Sequence, residues 1–475
     1  MLKINRSMFI LLCATLLHFA AGAQQTFAGK WVGALNNVNS FRMVFVVSEG
    51  KDGWKATMDV PAQGVKDMPS DVVIITGDSI YMSWPNLNGH YEGRFSDANN
   101  IRGFWAQNAM ELPLNMARTE GKVELNRPQT PIPPFSYNSE EIIFYNENKS
   151  KYYGATITTP KDDGKHPALI LISGSGPQNR DEELFDHKPF AVVADYLTKK
   201  GYIVLRIDDR GVGKSGGDRT HATSADFAED VKDAIAFLKT RKEVDKKKIG
   251  LYGHSEGAMI AQMVAAENKE LDFIILMAGP GVKLTEGMTE QSKAVLKSAG
   301  MDDSTANAYG VLYNRIVNDV ISSSKKEEAA KKMLNSVRQW KTVTDSAIVL
   351  QTTGIMDEKT EETFIRTFLD AVWNKWMVYF LKYDPEPVLA KVQCKVLALN
   401  GDKDIQVVAD VNLEGVKKAL SKSKSKDYET RIIKGVNHLF QECDACTVSE
   451  YGMLEQTIKP EVLQVVGDWL DNHVK

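Results

Sequence analysis

The chain has 475 residues, of which 43% are hydrophobic and 25% charged, and its formal net charge is −4. That length exceeds what one ordinary core holds and predicts two or three domains with a large buried interior. The charge balance gives no electrostatic footing for nucleic acid or an anionic membrane surface, so polyanionic partners are not expected.

Lys3 and Arg6 precede an apolar run over residues 8–20, and Ala21-Gly22-Ala23 then supplies small residues of the kind a signal peptidase reads. Residues 1–23 are expected to be a signal peptide and Gln24 the first mature residue, which predicts a secreted or periplasmic product. The run falls short of the roughly 20 residues of a spanning helix, so no stable membrane insertion is expected. Cys13 follows leucines rather than the small residues of a lipoprotein signal. The mature chain retains Cys394, Cys443 and Cys446, an odd number, so at least one thiol stays unpaired. Cys443-Asp444-Ala445-Cys446 has the spacing of a small-loop disulfide or of two free thiols; a metal there would need further ligands, and no metal or cofactor is expected.

Over residues 24–120 the pattern alternates with period two in short segments, 41–47, 54–60, 72–75, 79–84, 91–95 and 101–106, separated by turn pairs such as Asp52-Gly53 and Asn88-Gly89. This predicts a small all-β domain, a barrel or a sandwich. Its aromatics, Trp31, Trp54, Trp84, Tyr91 and Trp105 among them, either fill its core or stack on a sugar or apolar ligand. Residues 121–138 carry the tract Arg127-Pro128-Gln129-Thr130-Pro131-Ile132-Pro133-Pro134, which proline makes extended and stiff, and they are read as a linker.

From residue 139 to 475 the grammar changes to α/β. Segments 141–145 and 154–158 read as an opening hairpin. Continuous apolar runs at 168–172, 202–207, 249–252, 273–277, 396–399 and 430–433 fit parallel strands covered on both faces. Amphipathic helices over 190–199 and 226–238 lie between them, the second opened by a Thr223-x-x-Asp226 cap. Residues 284–389 interrupt the alternation with helical segments that end in an aromatic stretch around Trp373 and Trp376; an insertion of this size between sheet strands predicts a helical cap, the alternative being a set of helices packed at the sheet edge.

Gly253-His254-Ser255-Glu256-Gly257 sits between the 249–252 strand and an apolar helix, the context of a nucleophile elbow. A serine needs a base and an acid that orients it, expected in the order serine, acid, histidine on loops after strands. His438, in Gly435-Val436-Asn437-His438-Leu439-Phe440, is the one histidine of eight in a suitable late loop. Asp404 is chosen as the acid over Asp402, because Gly401 makes the sharp exit from the strand and the third residue after it turns back toward the imidazole. The oxyanion donors are assigned to the backbone N–H of Glu256 and of Ser175 in Ser173-Gly174-Ser175-Gly176-Pro177, Gly176 being the near alternative. Asp208-Asp209-Arg210-Gly211-Val212-Gly213-Lys214-Ser215 contains Gly-Lys-Ser, but Asp208 stands where a phosphate loop needs its first glycine. Arg210 is expected instead to pair with a carboxylate and fix a loop beside the site.

Together, Ser-Gly-Ser-Gly-Pro, Arg-x-Asp-x-Arg-Gly-x-Gly-x-Ser, Gly-His-Ser-Glu-Gly, Gly-x-x-Asp-x-x-Val and Asn-His-Leu-Phe resemble the α/β-hydrolase superfamily, near bacterial secreted esterases and the serine-peptidase-like hydrolases related to dienelactone hydrolase. The resemblance covers residues 140–475 and implies a mostly parallel central sheet with a helical cap and a triad of Ser255, Asp404 and His438. It implies a serine esterase acting through an acyl-enzyme on a small-molecule or glycan-linked ester; a peptidase or amidase with the same triad, or an inactive ligand-binding homologue, are the alternatives. The amino-terminal β domain is too short for the β-propeller of prolyl-oligopeptidase-like enzymes, which weighs against a peptidase. Oligomeric state is not legible in the sequence.

Overall fold

The computed structural model describes residues 26–38, 41–108, 110–121 and 123–475; the expected signal peptide and the expected Gln24 start lie outside them. Among the described residues no helix is long and apolar enough to cross a membrane. The chain divides into two units after Val123.

The first unit is one antiparallel sheet of β1 (Gly29–Ala34), β2 (Arg42–Gly50), β3 (Gly53–Val60), β4 (Val65–Pro69), β5 (Val72–Thr76), β6 (Ser79–Trp84), β7 (Gly89–Asp97), β8 (Asn100–Gln107), β9 (Met110–Pro113) and β10 (Met116–Arg118). Its order is β4-β3-β2-β1-β10-β8-β7-β6-β5, with β9 beside β8. Among the described residues no ladder joins β4 to β5, so the sheet is an open half-barrel, neither the closed barrel nor the two-sheet sandwich expected from the periodicity. Alternation places every second residue on one face: in β3, Ala56, Met58 and Val60 are buried and the intervening residues are not. Trp31, Trp84, Tyr91 and Trp105 are buried in this core with Phe45, and Trp54 packs against it. The two readings of these aromatics therefore resolve as core. Strands β1, β4, β9 and β10 escape the periodicity because they are short or carry little alternation.

The second unit opens with the hairpin β11 (Asn138–Tyr145) and β12 (Tyr152–Thr159). Then follow β13 (His166–Ile172), α1 (Pro189–Lys199), β14 (Ile203–Ile207), α2 (Ser224–Thr240), β15 (Val244–His254), α3 (Glu256–Glu267) and β16 (Phe273–Met277). Seven helices come next: α4 (Leu284–Ser298), α5 (Asp303–Ile321), α6 (Lys326–Lys341), α7 (Ser346–Thr353), α8 (Glu358–Val372), α9 (Lys375–Leu381) and α10 (Pro385–Leu389). The chain ends with β17 (Lys395–Gly401), α11 (Ala409–Leu420), β18 (Tyr428–Ile433) and α12 (Pro460–His473).

These strands form an eight-stranded sheet ordered β11-β12-β14-β13-β15-β16-β17-β18. β12 pairs antiparallel with β11 and β14, and the ladders from β14 through β18 are parallel. Successive residues of each strand feed opposite faces. In β13, Ala168, Ile170 and Ile172 join the core beneath α2, α3 and α11, whereas Leu169 and Leu171 join the one beneath α1 and α12. Each of these Leu and Ile side chains contributes about 1.5–3 kcal/mol by leaving water, which is why these strands read as unbroken apolar runs. Helix α2 starts where the sequence places it, the Thr223 N–H donating to the Asp226 carboxylate at 2.9 Å.

One feature differs from the sequence reading, and another adds to it. The tract expected as a linker is a docked part of the second unit from Glu124 onward. There the Arg127 guanidinium donates to the carbonyls of Phe185, Gly452 and Leu454, and the Gln129 side chain donates to Ile458 O. The insertion α4–α10 also has a core of its own, built on Leu312, Ile316, Val337, Trp340 and Leu369. Its buried Glu361 is held by Arg338 and Lys341, both at 2.9 Å.

Candidate active site

β15 ends at His254 and α3 begins at Glu256, so Ser255 alone makes the turn, with φ 55° and ψ −117°. Such a backbone in a non-glycine residue stores of order 1–3 kcal/mol and persists only where its surroundings hold it. They do: Ser255 N–H donates to Met277 O at 2.9 Å, and both flanking glycines are sterically required. A Cβ on Gly253 would lie 2.1 Å from Gly257 O, and one on Gly257 would lie 2.0 Å from Ile172 O. The Gly-x-Ser-x-Gly spacing is thus the condition for packing α3 against β13 and β15 while Ser255 projects at the carboxyl edge of the sheet. Glu256, as the first residue of α3, has no intrahelical acceptor for its N–H, and the helix dipole is positive at that end.

His438 Nδ1 hydrogen-bonds Asp404 Oδ2 at 2.8 Å, with both side chains buried. The other carboxylate oxygen of Asp404 accepts from the N–H groups of Gln406 and Val407, at 2.8 and 2.9 Å, and Asn400 donates to Oδ2 at 3.3 Å. These donors hold the carboxylate in register with the imidazole. Gly401 is needed at the exit of β17, since a Cβ there would lie 2.2 Å from Val436 O. Asp402 caps at long range, accepting from Gly435 N–H at 2.6 Å, so it fastens the loop that carries His438. That loop is closed further by the buried Asn437, whose side-chain oxygen accepts from the N–H groups of Leu439 and Gln441, both at 3.0 Å. Ser255, Glu256, Ser175 and His438 all line one cavity of about 140 Å³. No direct hydrogen bond joins Ser255 to His438 here. Such contacts often tighten only with substrate bound.

Ser175 N–H has no acceptor among the described residues, whereas Gly174 N–H donates to Glu182 Oε1 at 2.6 Å. The loop after β13 is also tied down by Asp209, which accepts from Ser173 Oγ at 2.7 Å, Gln178 N–H at 3.0 Å and Arg219 at 2.8 Å. Burial pushes the Asp209 carboxyl up to about 6 against the opposing effect of these donors. Arg210 pairs with Asp230 of α2 at 2.7 Å, and Asp208 pairs with Arg180 at 2.6 Å. The Asp208-Asp209-Arg210 motif therefore braces the loop that presents Ser175.

Several further groups belong to this site, and sequence motifs do not disclose their partners. Glu182, in a run of three acids, accepts from His254 Nδ1 at 3.0 Å, and His254 Nε2 faces His438 O at 3.0 Å. Both ring nitrogens of His254 thus face acceptors, which a doubly protonated ring satisfies. Burial opposes that charge, but Glu182 outweighs it and raises the His254 pKa. The Glu256 carboxyl is buried, which raises its pKa, and one of its oxygens accepts from Ser224 Oγ at 2.6 Å and Trp376 Nε1 of α9 at 2.8 Å. Cys443 and Cys446 form a disulfide and Cys394 is the free thiol. Glu450, beside the disulfide, is occupied by the N–H groups of Asp444, Ala445 and Cys446, so the cluster is a loop clasp and not a set of metal ligands.

The site can be set beside known proteins. A family model described as serine aminopeptidase, S33, matches residues 187–444, a span that includes Ser255, Asp404 and His438. Esterase EstD of Thermotoga maritima is 35% identical over 156 residues, 33% of this chain and 37% of that protein's length. An uncharacterized 31.7 kDa protein in the traX-finO intergenic region of Escherichia coli is 25% identical over 323 residues, 67% of this chain and 95% of that protein. The solved Pyrococcus furiosus esterase Pf2001 shares 16% identity at a TM-score of 0.41, over 75% of this chain and 100% of its own. The family model covers more than half of the chain, and the chain belongs to this serine aminopeptidase (S33) family of α/β hydrolases.

Proposed function

We propose that the protein is a serine hydrolase that cleaves carboxylic esters through an acyl-enzyme. The observation that carries this reading is a serine held in a strained elbow, lining the same cavity as a histidine whose other ring nitrogen is bound to a buried, backbone-anchored aspartate. His438 takes the Ser255 hydroxyl proton as Oγ bonds to the acyl carbon, and Asp404 fixes the imidazole and stabilises it when charged. The negative charge that develops on the carbonyl oxygen meets the N–H groups of Glu256 and Ser175. Collapse breaks the bond to the alcohol oxygen, which receives the proton from His438; water then repeats the sequence and releases the acid.

Helices α4 and α9 serve as a cap over the site, a role supported by Leu284, Met288, Trp376 and Phe380 on the cavity wall opposite Ser255. The apolar run and small residues at 8–23 support export of the mature chain. The description of the family as an aminopeptidase favours a second reading, amide cleavage with the same groups. Turnover of short-chain p-nitrophenyl esters against aminoacyl p-nitroanilides separates the two. Esters are expected to win by at least about 100-fold in kcat/KM, and a wide margin for the anilides would overturn the ester assignment.

A further inference from the structure

Ser255 and His438 stand between two cavities. The first, of about 140 Å³, runs under α4 and α9 and is walled by Leu284, Met288, Trp376, Met377 and Phe380. The second, of about 220 Å³, meets the first at the same two residues and is otherwise walled by different elements. Its walls are the segment before α1, with Leu184, Phe185 and His187, and the loops after β18, with Leu439, Val448 and Thr457. Ser175, Gln406, Ser255 and His438 are common to both, so a molecule whose reacting carbon sits at Ser255 extends one arm into each.

The two arms differ in chemistry. The second cavity has a polar floor of Glu182, His187, Gln441 and Thr457; among the described residues no lysine or arginine lines it, and the His254 ring spends both N–H groups on Glu182 and His438 O, so no unpaired cation meets an anionic group there. The side-chain amides of Gln178 and Gln406 each direct one N–H at the protein, toward Ser175 O and the Tyr451 hydroxyl, and among the described residues no donor meets either carbonyl oxygen, which leaves it for a hydroxyl donor. Phe185 and Leu439 give apolar faces to lie against a ring or carbon chain.

This cavity is also built to hold its shape. Glu182, Phe185 and Asp186 have φ of 51°, 52° and 61°, and Phe440, between the lining residues Leu439 and Gln441, has 60°. Strain of this kind collects where a site is shaped in advance. Arg127 binds both walls at once, donating to Phe185 O at 3.0 Å on one side and to Gly452 O and Leu454 O, each at 2.8 Å, on the other. The Cys443–Cys446 disulfide closes the outer loop.

We propose that the second cavity is the leaving-group subsite and takes the uncharged, hydroxyl-bearing alcohol of an ester, a polyol or a monosaccharide, while the acyl chain lies under α4 and α9. The assignment rests on the ester reading above. Two substrate series test it on the mature chain, with acid release followed by pH-stat: methyl esters of graded acyl length, and acetates of methanol, glycerol and glucose. In Leu184→Trp and Val448→Trp, both at exposed positions of the second cavity, kcat/KM for glucose acetate relative to methyl acetate is expected to fall about tenfold or more, with the methyl octanoate to methyl acetate ratio unchanged. Met288→Trp is expected to do the reverse. Arg127→Ala should follow the first pattern, with partial recovery in Arg127→Lys, which cannot reach all three carbonyls. Loss of long-acyl selectivity in the two second-cavity variants, or no change in either ratio, would overturn the assignment while leaving the esterase intact. Failure of the unsubstituted enzyme on both series would instead remove the ester reading and this assignment with it.

Discussion

At the scale of single residues, the site is a set of side chains whose backbone neighbours leave them little freedom. Asp404 has every oxygen committed to a loop amide, to Asn400 or to His438, so Asp404→Asn should keep the fold and lose the correct imidazole tautomer. A fall in kcat of about 10⁴-fold with little change in Tm is expected, and Ser255→Ala should cost at least as much. A stopped-assay comparison of the two variants at equal folded concentration checks this; substantial residual turnover in Ser255→Ala would place the nucleophile elsewhere. His187 makes a different prediction. It is 2% exposed, bonded to Thr457 Oγ1 at 2.8 Å, and burial together with the nearby Arg127 lowers its pKa to about 4. A histidine depressed on folding contributes stability that is complete above its unfolded value near 6.5 and is lost as pH falls through about 4. Asp209, raised to about 6, has the opposite sign: its contribution is complete below the unfolded value of 3.8 and is lost as pH rises through about 6. Between pH 7 and 4, His187→Gln should therefore lose less stability than the parent, by about 3 kcal/mol, and Asp209→Asn should lose more. Urea midpoints at a series of pH values read both signs.

At the scale of elements, the elbow shows why two glycines matter more than the residues between them. Gly257→Ala puts a methyl group into the backbone of β13, so α3 must move away from the sheet and carry Glu256 N–H with it. The expected result is a loss of several kcal/mol in stability and at least about 100-fold in kcat/KM. A Gly257→Ala enzyme with normal Tm and activity would show that the close approach is not needed. α9 is tied to this elbow through a single acceptor atom, because Ser224 and Trp376 both donate to Glu256 Oε1. Glu256→Gln retains that acceptor and should preserve turnover of long-chain esters, whereas Glu256→Ala releases Trp376 and should raise KM for them more than it lowers kcat, as initial-rate kinetics over an acyl series would show. The elbow itself is readable in sequence, since an apolar strand, Gly-x-Ser-x-Gly and an apolar helix follow one another without a gap. The tie to Trp376 is not, because 120 residues separate the two partners.

At the scale of the whole molecule, the proposed catalytic groups, both cavities and the Arg127 clamp lie in the unit from Glu124 to Lys475. A chain beginning at Glu124 should accordingly fold and hydrolyse small esters with kcat/KM within about threefold of the longer protein. A chain shortened further, to begin at Asn138, loses Arg127 and Gln129 and should be less stable and poorer on bulky alcohols, an outcome read by thermal melts and the acetate series together. Should the Glu124 chain be inactive though folded, the half-barrel would have to contribute to the reaction. The half-barrel's Trp31, Trp84, Tyr91 and Trp105 are spent on its own core, which leaves them outside the chemistry proposed here.

What the amino-acid order settles by itself is whatever depends on neighbours in the chain. Period-two alternation yields the β strands of the first unit, unbroken apolar runs yield the parallel strands of the second, and short motifs point to Ser255, Asp404 and His438 because each sits a fixed step beyond the end of a strand. Sheet closure, the docking of residues 124–137, the Glu182–His254 pair and the second cavity are decided only in three dimensions. Each depends on groups far apart in sequence meeting within hydrogen-bond reach, and a buried polar atom acquires its partner, its charge state and its consequence only when packing has excluded the water that would otherwise serve.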